Sequence, residues 1–575
     1  MRRNRHLARN WSVAALEATE AVALVLSYLI LIALALGCLA IPLAYARALI
    51  FGEIHLNIGV LLVAPFGLAG FTILRSLIPR RELKLPGVLI DPLREPHLMA
   101  EVGSIAAALN VTLPAEVRLV VDADAFVIQH GGFMGFGGRR TLGLGIPILS
   151  ALSVSQFRAI LAHEFAHFYS GDTHLKAWLW KTLTSMGQVE ENLEREASAM
   201  SDRRLLSIPH KVLLKALGLY WSGFMRLILM ISRRQEFHSD EIACHLVGSD
   251  EFIEALRKLV EAGTVTPLYW KNVVLPLLYA GYQPRLTTDF YIFQVAPAIE
   301  QAASRMLEKM LATTKTEPFD HHPPLATRIE RVRLLALPGT QANTQRAFSL
   351  FDNLDIWERE LVCKIAPEFA STEPNRVDWK TAATEIYLPA WREDMKMFQP
   401  LIPRETLSSL PDCVRNLGAI ADKIFSPRGQ ILSLSQREKR AGDILACAVV
   451  IALVDHGWKL MIWPGYYGLL REGSEVTVHP DAIVIRLRSD PASADEWQAY
   501  CADNGIGDIP LGPKEPVEET NPVADLRLFP PDCPRESEYL YSKSAIHNVS
   551  IYEALLRMSE CFGKPAHNLK PKALP

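Results

Sequence analysis

Ser153-Val-Ser-Gln-Phe-Arg-Ala-Ile-Leu-Ala-His-Glu-Phe-Ala-His167 is the stretch on which the reading of this chain turns. Ser153 and Gln156 have the spacing of a capping box, so a helix is predicted to start there. Phe157, Ile160, Leu161, Phe165 and Phe168 recur at helical spacing and supply its buried face. His163 and His167 are four residues apart, so one turn stacks them on the same side. Two neutral imidazoles so placed can bind one zinc ion. Glu164 is one step round the helix, beside the metal without ligating it, where it can take a proton from activated water and pass it to a leaving amine. Ser170-Gly171-Asp172 is the expected stop.

Two histidines leave a zinc site incomplete. The complement is sought in Gln235-Glu-Phe-His-Ser-Asp-Glu-Ile-Ala-Cys-His245. Glu236 and Asp240 again fall four apart. One carboxylate as ligand and one accepting a histidine ring N–H is a physically sensible division. Spacing alone leaves His238 and His245 as rival ligands, and a solvated charged face as the plain alternative.

The N-terminal part reads as membrane. Residues 21–46 carry no charged side chain. As a helix this run exceeds a hydrocarbon core of roughly 30 Å, and it is too long for a cleaved leader. Residues 56–74 form a second uncharged run. Arg2, Arg3, Arg5 and Arg9 precede the hairpin, and Arg75, Arg80, Arg81 and Lys84 follow it, against Arg47 alone in the intervening loop. Both ends of the hairpin, and everything after it, are therefore expected on the cytoplasmic side. Eight scattered cysteines without a Cys-x-x-Cys pair fit a reducing compartment and no disulfide framework. A net charge of -3 gives no global attraction for nucleic acid.

These elements together resemble the family of integral-membrane zinc peptidases that contains the HtpX heat-shock protease, the CaaX prenyl proteases and the mitochondrial Oma-type protease. The resemblance rests on His163-Glu-Phe-Ala-His167, Gly171-Asp172, Glu236-Phe-His-Ser-Asp240 and His322-Pro-Pro-Leu-Ala-Thr-Arg328. Asp124-Ala-Phe126 stands where the family has Asn-Ala-Phe. It covers about residues 85–340. It implies Glu236 as the third ligand of one zinc ion per chain, Asp240 behind the metal, and Glu164 as the general base. His322 and Arg328 are implied near the oxyanion or as anchors of their loop. His322 could also reach the metal at rest, or merely cap a helix beginning near Pro323. The family further implies an integral protein of the bacterial inner membrane whose catalytic domain is cytoplasmic and whose substrates are membrane-associated or misfolded proteins.

The expected fold is α+β: a mainly helical zincin-type domain with a small sheet, preceded by a two-helix transmembrane hairpin and followed by a small α/β domain. The expected divisions are a basic N-terminus at 1–18, the hairpin at 19–78, the peptidase at 85–340, a C-terminal region at 345–510 and an irregular tail at 511–575. Strands are predicted at Arg118–Val121, Ala125–Gln129 and Thr141–Leu149. The last, with its glycines and Pro147, is taken as a sheet edge to which an extended peptide could add. Residues 131–138 read as a hairpin tip. Residues 211–232 read as a buried or interfacial helix leading into Glu236, since Lys215 and Arg226 disfavour a full span. In the C-terminal region Trp458–Trp463, Glu475–Val478 and Ala482–Leu487 read as strands, and 378–424, 440–454 and 493–503 as helices. His456 and His479 read as ordinary strand-end residues. The competing functional readings are a membrane-tethered scaffold with a non-catalytic zinc site, and a CaaX-type processing protease, which normally has many more spans.

Overall fold

The computed structural model describes residues 11–53, 55, 59–76, 85–130, 138–169, 187, 189, 191–195, 204–312, 322–339, 342–365, 374–402, 405–425, 433–471, 477–490 and 492–513. The expected stop at Ser170–Asp172 and the hairpin tip at 131–137 lie outside them, as does the tail beyond Pro513. The chain is mainly helical with small sheets, and divides into two compact units. Of the described residues, one holds those up to Thr264 together with Ala303–Ile365; the other holds Val265–Ala302 and those from Ala366 to Pro513.

In the first unit, α1 (Trp11–Ile50) and α2 (Gly59–Ser76) form an apolar hairpin. Gly70 makes its closest approach possible: a Cβ there would meet the Ala35 carbonyl oxygen at 2.7 Å. Val25–Ile50 is long and apolar enough to cross a membrane, with a mean hydropathy of 2.5. Leu29, Leu36, Leu43 and Ile50 project outward from it, exposed. The 44-residue helix α6 (Arg204–Val247) packs its first half against this hairpin. Leu217, Trp221, Met225 and Ile228, at helical spacing, share one cluster with Leu31 and Ala35 of α1 and Ala69 and Ile73 of α2. The stretch 211–232 is thus helical and leads without a break into Glu236. Lys211–Val247 also passes the length and apolarity test for a span, at a lower mean hydropathy of 1.4.

A four-stranded sheet follows, in the order β1-β2-β4-β3. Its strands are β1 (Val88–Leu89), β2 (Glu116–Val120), β3 (Ala125–His130) and β4 (Arg139–Gly145). β2 and β4 run parallel, β3 and β4 antiparallel. Two expectations are corrected here. The strand after Thr141 is central, and the edges are β1 and β3. Moreover, it ends at Gly145, because Pro147 enters the first turn of the short helix α4 (Ile146–Ala151). The glycines of β4 serve close packing instead of an edge: a Cβ on Gly143 would meet the Phe126 ring at 2.2 Å, and one on Gly145 the Asp122 carbonyl oxygen at 2.0 Å.

Helix α3 (Pro96–Ala108) and the catalytic-motif helix α5 (Val154–Tyr169) pack beside the sheet. Helices α7 (Ser249–Tyr269) and α8 (Leu325–Leu335) follow α6. Helix α9 (Leu354–Ile365) belongs to this unit as well. Glu95, fully buried, tethers its start by accepting from the backbone N–H of Asp352 and Asn353 and from Trp357 Nε1 at 2.6 Å.

The second unit is built on the 22-residue helix α10 (Leu434–Asp455). Ala446–Leu453 is apolar on every side and buried throughout, as such a sequence requires. An antiparallel hairpin, Trp458–Trp463 and Tyr466–Arg471, adds the short strand Thr477–Val478. Its turn is Pro464-Gly465, where Gly465 supplies a φ of +74°. Ala482–Leu487, expected as a strand, lies in the helix Pro480–Ser489. Pro480 stands in its first turn and Val484 and Leu487 are buried while Ile485 is exposed, so helical burial overrides the β-branched composition.

Candidate metal centre

Helix α5 starts as its sequence requires. Ser153 Oγ accepts from the Gln156 backbone N–H at 3.1 Å, and Gln156 Oε1 accepts from the Ser153 N–H at 2.9 Å. Lys258 of α7 also donates to Gln156 Oε1 at 3.1 Å. Phe157, Leu161 and Phe165 are wholly buried, which fixes the rotation of the helix. An ion pair of Arg158 with Glu101 ties α5 to α3. That rotation turns His163 and His167 toward α6, and both are buried.

Helix α6 meets them with Glu236, Ser239 and Asp240, positions i, i+3 and i+4 on one face. His163 Nε2 lies 3.5 Å from Glu236 Oε2, and His167 Nε2 lies 3.4 Å from Glu236 Oε1. His163, His167 and Glu236 each offer one ligand atom, and these atoms all fall within 4.8 Å of one another. Two nitrogens and one carboxylate oxygen, converging and buried, fit a zinc ion with an open position. The rivals His238 and His245 are not in this group. Glu164, partly exposed, is one residue from His163 on the same helix.

The opposite ring nitrogens also find partners. His163 Nδ1 lies 3.0 Å from Asp240 Oδ1, a short contact whose alignment falls off the ideal line of a hydrogen bond. His167 Nδ1 lies 3.2 Å from Ser239 Oγ. The Phe252 ring stacks on His163 at 6.0 Å between centroids. Arg328 of α8 grips Asp240 through Nε at 2.9 Å and Nη2 at 2.6 Å. Its Nη1 is 3.8 Å from Glu236 Oε2. His322 Nδ1 is 2.7 Å from Glu236 Oε2, and the His322 side chain is 67% exposed. Helix α8 has Pro324 at its N-cap and no side-chain cap, so His322 does not cap it.

The electrostatics follow from this crowding. Burial disfavours the His163 imidazolium, but contacts with Asp240 and Glu236 outweigh it and push its pKa up to about 9. Burial would raise Glu236, yet His322, His163 and His167 hold it well below the usual carboxylate range. Asp240 is likewise held down against burial by Arg328 and His163. Glu236 is the main cause that raises His322. Asp124, which ends the loop before β3 and is exposed, is raised by the surrounding protein and by Glu164, with His322 opposing. Asp124 is therefore within electrostatic reach of both Glu164 and His322, near the candidate metal ligands.

The contact of Ser239 with His167 had no signal in the sequence, since a lone serine carries no spacing. A cavity of about 740 Å³ lies elsewhere in this unit, between β1 and α9, lined in part by Leu89, Arg118, Arg359 and Lys364. It shares no residue with the metal centre and brings no set of reactive groups together, so the chemistry is read from the histidine cluster. The six described cysteines are free.

Comparison with known proteins bears on the same region. Residues 92–336 match the model of peptidase family M48. The chain is similar to Protease HtpX of Acinetobacter baumannii strains AYE, SDF and AB0057, in each case 22% identical over 263 residues, spanning 44% of this chain and 86% of the relative. No solved structure matches.

Proposed function

From the match of residues 92–336 to the model of peptidase family M48, we propose that this chain is a membrane-anchored zinc endopeptidase. The observation that carries the reading is the convergence of His163, His167 and Glu236, with Glu164 partly open beside them. His163 and His167 bind the metal through Nε2, and Glu236 through its carboxylate. When bound, zinc supplies Lewis acidity toward the scissile carbonyl and acidifies water. Glu164 accepts the proton from the attacking water and delivers it to the leaving nitrogen. His322, exposed beside Glu236, donates to the substrate carbonyl oxygen as negative charge develops there. Arg328 is committed to Asp240, so its role is to position Asp240 and, through it, His163.

The substrate is a protein or peptide bound in extended form along β3. Gly145 donates its backbone N–H to the Asp124 carbonyl, which sets the register of the β3–β4 pair. The backbone groups of Val127 and Gln129 then point to the free side. Anchoring through α1 and α2 would bring membrane-associated or misfolded proteins to the site, with the peptidase unit on the cytoplasmic side.

The test is to purify the full chain in detergent, measure bound zinc, and compare casein cleavage by wild type and Glu164→Gln. The expected outcome is equal zinc with cleavage lowered by about 10²–10⁴-fold. Bound zinc with equal cleavage, or with none in either protein, would favour a tethered scaffold holding a non-catalytic ion.

A further inference from the structure

The two ligand histidines are held from behind by different chemistry. Both rings turn Nε2 toward Glu236, so Nε2 is the nitrogen that binds the metal in each. A ring that gives Nε2 to a cation must carry its hydrogen on Nδ1. For His163 that hydrogen faces the Asp240 carboxylate, itself pinned by two bonds from Arg328. For His167 it faces the Ser239 hydroxyl at 3.2 Å, in a position with no solvent exposure.

We propose that Ser239 is a positioning residue for the metal centre: its Oγ accepts the Nδ1 hydrogen of His167 and so fixes the tautomer and ring angle that present Nε2. This rests on the zinc reading of the site. The direction of the bond follows from the metal. Were the hydroxyl to donate to Nδ1, the ring hydrogen would sit on Nε2 and block the ligand position. No solvent reaches this hydroxyl to replace it. Removing it takes from the Nδ1–H of a buried ring the acceptor that stands 3.2 Å away, a loss that weakens metal binding. Because Ser239 and Asp240 are neighbours on α6 while His163 and His167 are one turn apart on α5, the packing of two helices assigns one acceptor to each ring.

The test measures metal directly. The zinc affinity of the full chain in detergent is determined by competition with a chromophoric chelator for wild type, Ser239→Ala and Ser239→Thr, and the visible spectrum is recorded with cobalt(II) in place of zinc. The thermal midpoint of the metal-free forms controls for folding. The expected result is a loss of affinity of about tenfold or more in Ser239→Ala, a shifted cobalt spectrum, an unchanged metal-free midpoint, and recovery of affinity in Ser239→Thr, which keeps the hydroxyl. Affinity and spectrum equal to wild type in Ser239→Ala would overturn the proposal while leaving the peptidase reading intact. So would Ser239→Thr binding as weakly as Ser239→Ala with an unchanged midpoint. A wild-type protein that binds no zinc would overturn both.

Discussion

Arg328 and Asp240 form a two-pronged pair, Nε to Oδ2 at 2.9 Å and Nη2 to Oδ1 at 2.6 Å, with both side chains buried. Such a fork fixes a carboxylate in angle as well as in charge. On the proposed zinc reading, its effect would be carried to the metal through the His163 ring. Arg328→Ala leaves an uncompensated buried carboxylate, a cost on the order of 3–5 kcal/mol. The expected outcome is a lower thermal midpoint and weaker zinc binding together, read by calorimetry and chelator competition. Arg328→Lys should recover the charge but not the fork, and so only part of the affinity. Wild-type zinc affinity in Arg328→Ala would show that the pair is structural only.

Zinc binding should depend steeply on pH. The His163 pKa is pushed up to about 9 in the protein, above an unfolded value near 6.5. The sign is that of a base raised on folding. Its stabilisation of the metal-free protein is fully present below about pH 6.5 and is lost as pH rises through about 9. Metal needs the neutral ring, so this proton competes with it. Apparent zinc affinity should climb about tenfold per pH unit from 7 to 9 on this account and then level off. Chelator competition over that range is the measurement, and a flat profile would refute it.

Gly145→Ala should separate substrate binding from metal binding. The added Cβ would stand 2.0 Å from the Asp122 carbonyl oxygen and 2.7 Å from that of Asp124, both backbone atoms. The loop before β3 must move, at a cost of about 2–4 kcal/mol. The free edge moves with it, whereas no metal ligand lies on β3. The expected signature in peptide cleavage is a raised KM with zinc content unchanged. A wild-type KM would remove β3 from the substrate path.

Arg226→Pro tests whether α6 acts as one piece. Arg226 is exposed, so its side chain makes little packing contact, and proline in a helix interior costs about 3 kcal/mol or more. The kink would fall within the part of α6 packed on the hairpin, which runs on to Leu229, and would re-aim the later part bearing Glu236. Zinc affinity should drop by about 100-fold at most, while Arg226→Ala stays close to wild type and both remain in the membrane fraction. Full zinc affinity in the proline variant would show that the two halves are independent.

Parts of this were legible in the sequence for definite reasons. The helix of His163 and His167 announces itself through a cap, a 3.6-residue apolar period and a pair four apart. The fold brings Glu236 and Asp240 to it from 69 or more residues away along the chain, a distance that only family likeness could bridge. The edge of the sheet was misassigned because glycine reads as an edge signal when its real task, making room for Phe126, depends on a partner strand. Ala482–Leu487 was misread because β-branched residues suit a strand by local preference, while the burial of Val484 and Leu487 on one side is decided by the surrounding unit. Ser239 was silent because the meaning of a small hydroxyl lies wholly in what stands opposite it.

The unbroken run of α6 makes it a gauge. Leu229 is the last of its residues in the cluster with α1 and α2, and Glu236 stands seven residues further on. At a rise of about 1.5 Å per residue the metal position is some 10 Å along the rod from that level. An extended polypeptide advances about 3.3 Å per residue. A chain emerging at the level of Leu229 would therefore bring its third or fourth residue to the metal, and bonds nearer the hairpin would fall short. On the proposed reading, selection of the cleaved bond would rest on distance from an anchoring plane, with little demand on the identity of the side chains.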